Sequence, residues 1–408
     1  MMYLSDNMRN AKKPGRRGFI GDLSKITLVG AVGSSLPVSQ AVAQDAGPTE
    51  FKFRSAPYLQ SLTEQAVNIL FLTSQNAYSW VEYGEKQLNQ KAVALADGFV
   101  QANNQLNSIQ LKGLKPSTEY QYRVVSRQIV KFDPYDLQYG EEIASQVYRF
   151  KTRNPEASSV SCLILNDIHD RPHSFEQLLA LNKEFPYEFV ALNGDMFDYQ
   201  TDEQQIIDHL LKPCTHIFAS EIPFLMIRGN HETRGKFARD FKNYFTYEDN
   251  EYFFSFKQGP VHWIVIDTGE DKEDGHPEYS DIVDFDSFRE KQAEWLEKEL
   301  QKKTFKYYKY KVVLMHIPPF HAGEWHGTKH CRQLFHPLFE KHKIDMVISG
   351  HTHRYGVHPP DKDHSYPIII GGGPKEGNRT LIQLQANRQH LKINMMKDSG
   401  ETVGTYRI

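Results

Sequence analysis

The chain changes rhythm near residue 155. From about Phe51 to Thr152, apolar and polar positions alternate in short segments such as Ala66-Val67-Asn68-Ile69-Leu70-Phe71-Leu72 and Tyr120-Gln121-Tyr122-Arg123-Val124-Val125, with turn residues between them. A period of two places one face of each strand in a core, and a succession of such segments predicts an all-β sandwich. Residues 152–159, with Pro155, Ser158 and Ser159, read as a linker. Beyond it Val160-Ser161-Cys162-Leu163-Ile164-Leu165 is a nearly continuous apolar run, and similar runs lie at residues 189–192, 222–227, 261–266, 311–315 and 344–348. Such runs are strands covered on both faces. Helix-like stretches intervene at residues 174–184, 202–211, 287–302 and 331–341, and the alternation predicts a layered α/β domain.

Composition adds two constraints. With 408 residues the chain exceeds the size at which a single core stops growing, and 39% hydrophobic with 24% charged residues is a globular balance. The formal net charge of -3 gives no general attraction to nucleic acid or to an anionic membrane. At the start, Lys12, Lys13, Arg16 and Arg17 precede an uncharged stretch at residues 26–44, the layout of a signal peptide. Gly15-Arg16-Arg17-Gly18-Phe19-Ile20 resembles the core of a bacterial twin-arginine signal, and Ala41-Val42-Ala43 is a small-x-small cleavage site. Gly30, Gly33 and Pro37 interrupt the stretch, which falls short of the ~20 apolar residues of a span. The expectation is a cleaved signal over residues 1–43, export to the periplasm or exterior, and no transmembrane anchor. Three cysteines, Cys162, Cys214 and Cys331, permit at most one disulfide and have no zinc-type spacing.

The chemistry lies just past the end of each apolar run. Leu165 leads into Asn166-Asp167-Ile168-His169, Leu192 into Asn193-Gly194-Asp195-Met196-Phe197-Asp198, and Ile227 into Arg228-Gly229-Asn230-His231-Glu232. Met315 leads into His316, and Ile348 into Ser349-Gly350-His351-Thr352-His353. Strand carboxyl ends are where loops converge on a rigid support. Carboxylate and imidazole together suit zinc, iron or manganese, and a metal pair ~3.5–4 Å apart can activate water and neutralise charge on a phosphoryl group. Asp195, behind Gly194, is best placed to bridge such a pair.

These five motifs, Asp167-x-His169, Gly194-Asp195-x-x-Asp198, Gly229-Asn230-His231-Glu232, Val313-x-x-His316 and Gly350-His351-x-His353, resemble the ordered motifs of calcineurin-like metallophosphoesterases. The resemblance implies a four-layer α/β/β/α sandwich over residues 158–408. It implies one metal held by Asp167, His169, Asp195 and His353, and another held by Asp195, Asn230, His316 and His351. Phosphate esters, mono- or diesters, would be cleaved by a metal-bound hydroxide, with His231 as general acid and Asp198 orienting it. The metals would be two divalent or mixed-valence ions of iron, zinc or manganese, the partner a small phosphorylated substrate. Residues 111–124 resemble a corner and strand of fibronectin type III modules, so residues 50–153 are expected to form such a sandwich. The combination resembles purple acid phosphatases, except that Asp198 stands where those enzymes have a metal-binding tyrosine.

Other features have two readings. Arg228 can face a phosphate or form a structural ion pair, and His321, Trp325, His326 and His330, expected on a loop, can line the substrate pocket or simply face solvent. Gly371-Gly372-Gly373 lacks the Lys-Ser or Lys-Thr of a nucleotide loop and reads as a tight turn. A binding protein that has lost catalysis is the alternative to an enzyme, but every ligand position retains a competent side chain.

Overall fold

The computed structural model describes residues 50–303 and 308–408, which belong to one compact unit. The expected signal segment lies outside the described residues. The first strands are β1 (Tyr58–Gln60), β2 (Ala66–Gly84), β3 (Gln90–Ala92), β4 (Leu95–Ala96), β5 (Phe99–Val100), β6 (Ala102–Lys112), β7 (Glu119–Asp133), β8 (Asp136–Ala144) and β9 (Tyr148–Lys151). The long β2 serves two layers: its first half pairs with β1 and β6, its second half with β3 and β7, and its register to β6 shifts between Leu72 and Ala77. Val67, Ile69 and Phe71 meet Val81, Tyr120, Tyr122 and Phe150 in the core between the layers. The alternate positions Leu70 and Leu72, with Tyr58, join the core of the α/β part instead. Period-two alternation therefore serves two apolar environments here, one on each face.

The α/β part holds two six-stranded sheets. One orders β12 (Phe224–Ile227), β11 (Phe189–Asn193), β10 (Ser159–Leu165), β19 (Thr380–Asn387), β20 (Leu391–Lys397) and β21 (Thr402–Arg407). The other orders β13 (Phe254–Gln258), β14 (Val261–Ile266), β15 (Tyr310–Met315), β16 (Met346–Ser349), β18 (Ile368–Ile370) and β17 (Gly356–His358). Strands β10 to β12 run parallel, as do β14, β15, β16 and β18. Cys162, Ile164, Trp263, Val312 and Ile348 fill the space between the sheets. The first sheet's outer face packs with α1 (His173–Leu179) and the segment α2 (Glu203–Ile206) to α3 (Lys212–Ile217), and the second's with α4 (Phe285–Gln301) and α5 (His326–His342). Helix, sheet, sheet and helix layers succeed one another, as expected.

Several boundaries differ from the sequence reading. The helix expected to end at Leu211 continues to Ile217 through a π-helical stretch at residues 207–211, after an N-terminal cap in which Asp202 accepts from the Gln205 N–H at 3.0 Å. Helix α5 starts at His326, so His326 and His330 are helical and not on a loop. The Gly327 N–H donates to Asp271 O at 2.8 Å and Asp286 holds the His326 ring, which together fix that early first turn. All three cysteines are buried and free.

Candidate metal centre

The loops after β10 and β11 remain zipped together beyond their strands: Asp167, His169 and Asp170 donate backbone N–H groups to the carbonyls of Gly194, Asp195 and Met196, each at 3.0 Å. The main chain pays for the convergence of these loops in strain. Asp167, His169, Asp195, His351 and His353 all have φ between 51° and 71°, a region uncommon for residues other than glycine and concentrated at functional sites. Gly194 (φ 87°) lies so close to the His316 ring that a Cβ there would collide with it.

Two donor groups result. Ligand atoms of Asp167, His169, Asp195 and His353 lie within 4.8 Å of one another, and so do those of Asp195, His316 and His351. Asp195 belongs to both. Asn230 Oδ1 stands 3.0 Å from His351 Nδ1, which brings the amide into the second group. The ring orientations are fixed from outside. His316 Nδ1–H donates to Asn193 O at 2.9 Å, leaving Nε2 aimed inward, 2.9 Å from Asp195 Oδ2 without hydrogen-bond geometry. His169 Nδ1 meets Asp198 Oδ1 at 2.9 Å and turns its Nε2 toward His353 Nε2 at 3.0 Å.

Electrostatics favour a cation. Burial alone would raise Asp195 and Asp167, but the surrounding imidazoles hold both carboxyls well below the usual range. Against the burial penalty, the Asp195 carboxylate pushes His316 up to about 10. Burial and the His316 charge push His351 down to about 4. Buried carboxylates, inward imidazole nitrogens, one unpartnered Nε2 and no thiolate fit a first-row transition ion.

Asp198 and His231 make contacts that differ from the expected pairing. The Asp198 carboxylate bonds His169, not His231; the group that reaches His231 Nδ1 is the Asp198 carbonyl, at 2.7 Å. His231 Nε2 faces Arg234 Nη1 at 3.0 Å. Burial lowers His231 and the Arg234 charge lowers it further, although Asp195 opposes them. A neutral imidazole donating from Nδ1 and accepting at Nε2 satisfies both contacts.

Of the weaker candidates, Arg228 is mostly buried, bonds Asp267 Oδ2 at 2.6 Å and lies over the Tyr252 ring. These are the contacts of the structural ion pair. His326 bonds Asp286, and His321 contacts His364 and His358, so both rings are engaged away from the centre. The sequence reading missed the parts played by five residues. Glu232 accepts from the N–H groups of Gly229, Asp195 and Met196 at 2.8, 2.8 and 2.7 Å, tying two ligand loops to one buried carboxylate. Arg234 is clamped by Glu270 through Nε and Nη2, both at 2.8 Å. Asn166 donates to Asp167 Oδ2 at 2.6 Å and to Gly372 O at 3.0 Å. Gly371 and Gly373 press against Asn166 and His353, so the glycine run supports the centre at close approach rather than merely turning the chain.

Fold and site together define a metallophosphoesterase: a sandwich of two sheets with carboxylate and imidazole donors at its strand ends. The calcineurin-like phosphoesterase family matches residues 161–355, and the chain carries that family's domain. Purple acid phosphatase 21 of Arabidopsis thaliana is 23% identical over 359 residues, covering 82% of this chain and 73% of its own. Purple acid phosphatase 22 of the same plant is 25% identical over 371 residues, covering 84% and 76%. Among solved structures, a purple acid phosphatase from yellow lupin seeds superposes with a TM-score of 0.64 at 16% identity, covering 86% of this chain and 73% of the other. PhoD superposes with 0.61 at 12% identity, covering 88% and 89%. The chain is a metal-dependent phosphoester hydrolase.

Proposed function

We infer that the protein hydrolyses phosphate monoesters or diesters at a centre of two metal ions, in the periplasm or outside the cell. The observation that carries this reading is the shared carboxylate: Asp195 belongs to both donor groups, as a bridging ligand must. Asp167, His169, Asp195 and His353 would hold one ion, and Asp195, Asn230, His316 and His351 the other. Bound ions would supply Lewis-acid activation of water and neutralise charge developing on the phosphoryl oxygens.

The chain's own groups do the remaining work. Asp198 fixes the His169 tautomer, a support that typically changes metal affinity 10- to 100-fold. Arg234 presents Nη1 beside His231 at the edge of the centre, where a planar guanidinium suits phosphoryl oxygens. His353 and His231 are partly exposed, which supports substrate entry from that side. Metal analysis of Asp195→Asn, combined with assays on nitrophenyl mono- and diesters, tests the proposal. Loss of stoichiometry at both positions together with loss of hydrolysis is expected; two ions retained at parental affinity would refute the bridge.

A further inference from the structure

Away from the strand-end centre, three histidines and an aspartate converge where the segment after β15 meets the turn between β17 and β18. His321 Nε2 and His364 Nε2 are 3.2 Å apart, and Asp361 Oδ1 is 3.7 Å from the latter. One ligand atom from each of the three lies within 4.8 Å of the others. The geometry points to a separate site for a divalent transition cation of the zinc type, held by His321, His364 and Asp361 with the His358 ring alongside.

The spacing is that of ligands sharing an ion. Two nitrogens bound at ~2.0–2.1 Å in a tetrahedron sit about 3.3 Å from each other. The supporting contacts are of the kind metal-binding histidines make. The wholly buried His364 ring donates Nδ1–H to Tyr366 O at 2.7 Å, which leaves Nε2 as a lone pair directed at His321. Asp361 Oδ1 accepts from the N–H groups of Asp363 and His364 at 2.8 and 3.2 Å, which positions its carboxylate. The His358 ring stacks on His321 with centroids 3.8 Å apart. Burial and the neighbouring imidazoles hold His321 and His358 below the usual range, and neutral imidazole is the ligating form. The Asp286, His326 and His330 cluster differs on one decisive point: its carboxylate already pairs with Arg289 at 2.7 Å, and a cation would have to compete with that guanidinium.

An ion here would tie residue 321 to the turn at residues 361–364, so its role is to fasten two loops. Equilibrium dialysis of the full chain against Zn²⁺ is the test, read as a difference from the parent protein. His321→Ala, at an exposed position, should bind one Zn²⁺ fewer per chain, and Asp361→Asn should weaken that equivalent tenfold or more. Asp195→Asn should leave the His321-dependent equivalent in place, which separates this site from the strand-end centre. If His321→Ala and Asp361→Asn bind the same number of ions as the parent with unchanged affinity, the assignment is wrong.

Discussion

Arg234 reaches the centre through a guanidinium whose other edges are committed: Glu270, itself bonded by Thr233 and Tyr279 hydroxyls, takes Nε and Nη2 and leaves only Nη1 toward His231. A side chain held this way loses little entropy on meeting a phosphoryl oxygen. Arg234→Lys keeps the charge but not the fork. With a charged hydrogen bond worth about 1.5–3 kcal/mol, it should lower kcat/KM by roughly 10- to 100-fold. The loss should be equal on alkyl and nitrophenyl phosphates and leave metal content intact; a selective loss on the alkyl ester would instead assign proton donation to the His231 and Arg234 pair. The residues that converge in the two donor groups were legible because each stands after an apolar run and is of a metal-binding type. Glu232 and Arg234 were not, since a carboxylate that grips backbone N–H groups, or an arginine aimed by a buried glutamate 36 residues away, has no spacing signal. The Asp198 side chain was placed in the right neighbourhood and given the wrong ring.

The elements show the same division. Central strands β10, β11, β14, β15 and β16 coincide closely with their apolar runs, because an apolar run this short suits a strand buried on both faces better than a helix. Their partners β19 to β21 carry no chemistry and an antiparallel pattern that the sequence reading did not separate from loop. The start of α5 depends on Asp271 and Asp286, distant residues that no helix signal near position 326 contains. The glycine run after β18 is the clearest case of function hidden in an element boundary. A Cβ at Gly373 would overlap the Cβ and ring of His353. Gly373→Ala should therefore displace that ligand and weaken one ion selectively, by about tenfold or more, while the second ion stays bound. Equal affinity for both ions in calorimetric titration would show that the loop absorbs the methyl group.

In the whole molecule, the N-terminal sheets are joined to the α/β part by more than a linker. Leu70, Leu72 and Tyr58 lie in its core, Tyr58 Oη donates to Tyr244 O at 2.8 Å, and Tyr122 Oη to Ser220 O at 2.6 Å. The change of rhythm near residue 155 marked where one architecture gives way to another; that β2 is apolar on both faces shows instead in Ile69-Leu70-Phe71-Leu72, four apolar residues in succession. The centre, too, is shared between two structures. Asp167, Asp195 and Asn230 come from the first sheet, His316 and His351 from the second, so an ion bound at their meeting point would act as a rivet through the middle of the sandwich. Chelators should then behave as mild denaturants. Free metal at 100 times its dissociation constant adds about 2.7 kcal/mol, so the melting midpoint should climb with metal concentration. Stripped of metal, the protein should first lose hydrogen-exchange protection in the loops that follow β10, β11 and β15, well before those central strands themselves open; a midpoint indifferent to metal would mean that the strained loops hold without their fastener.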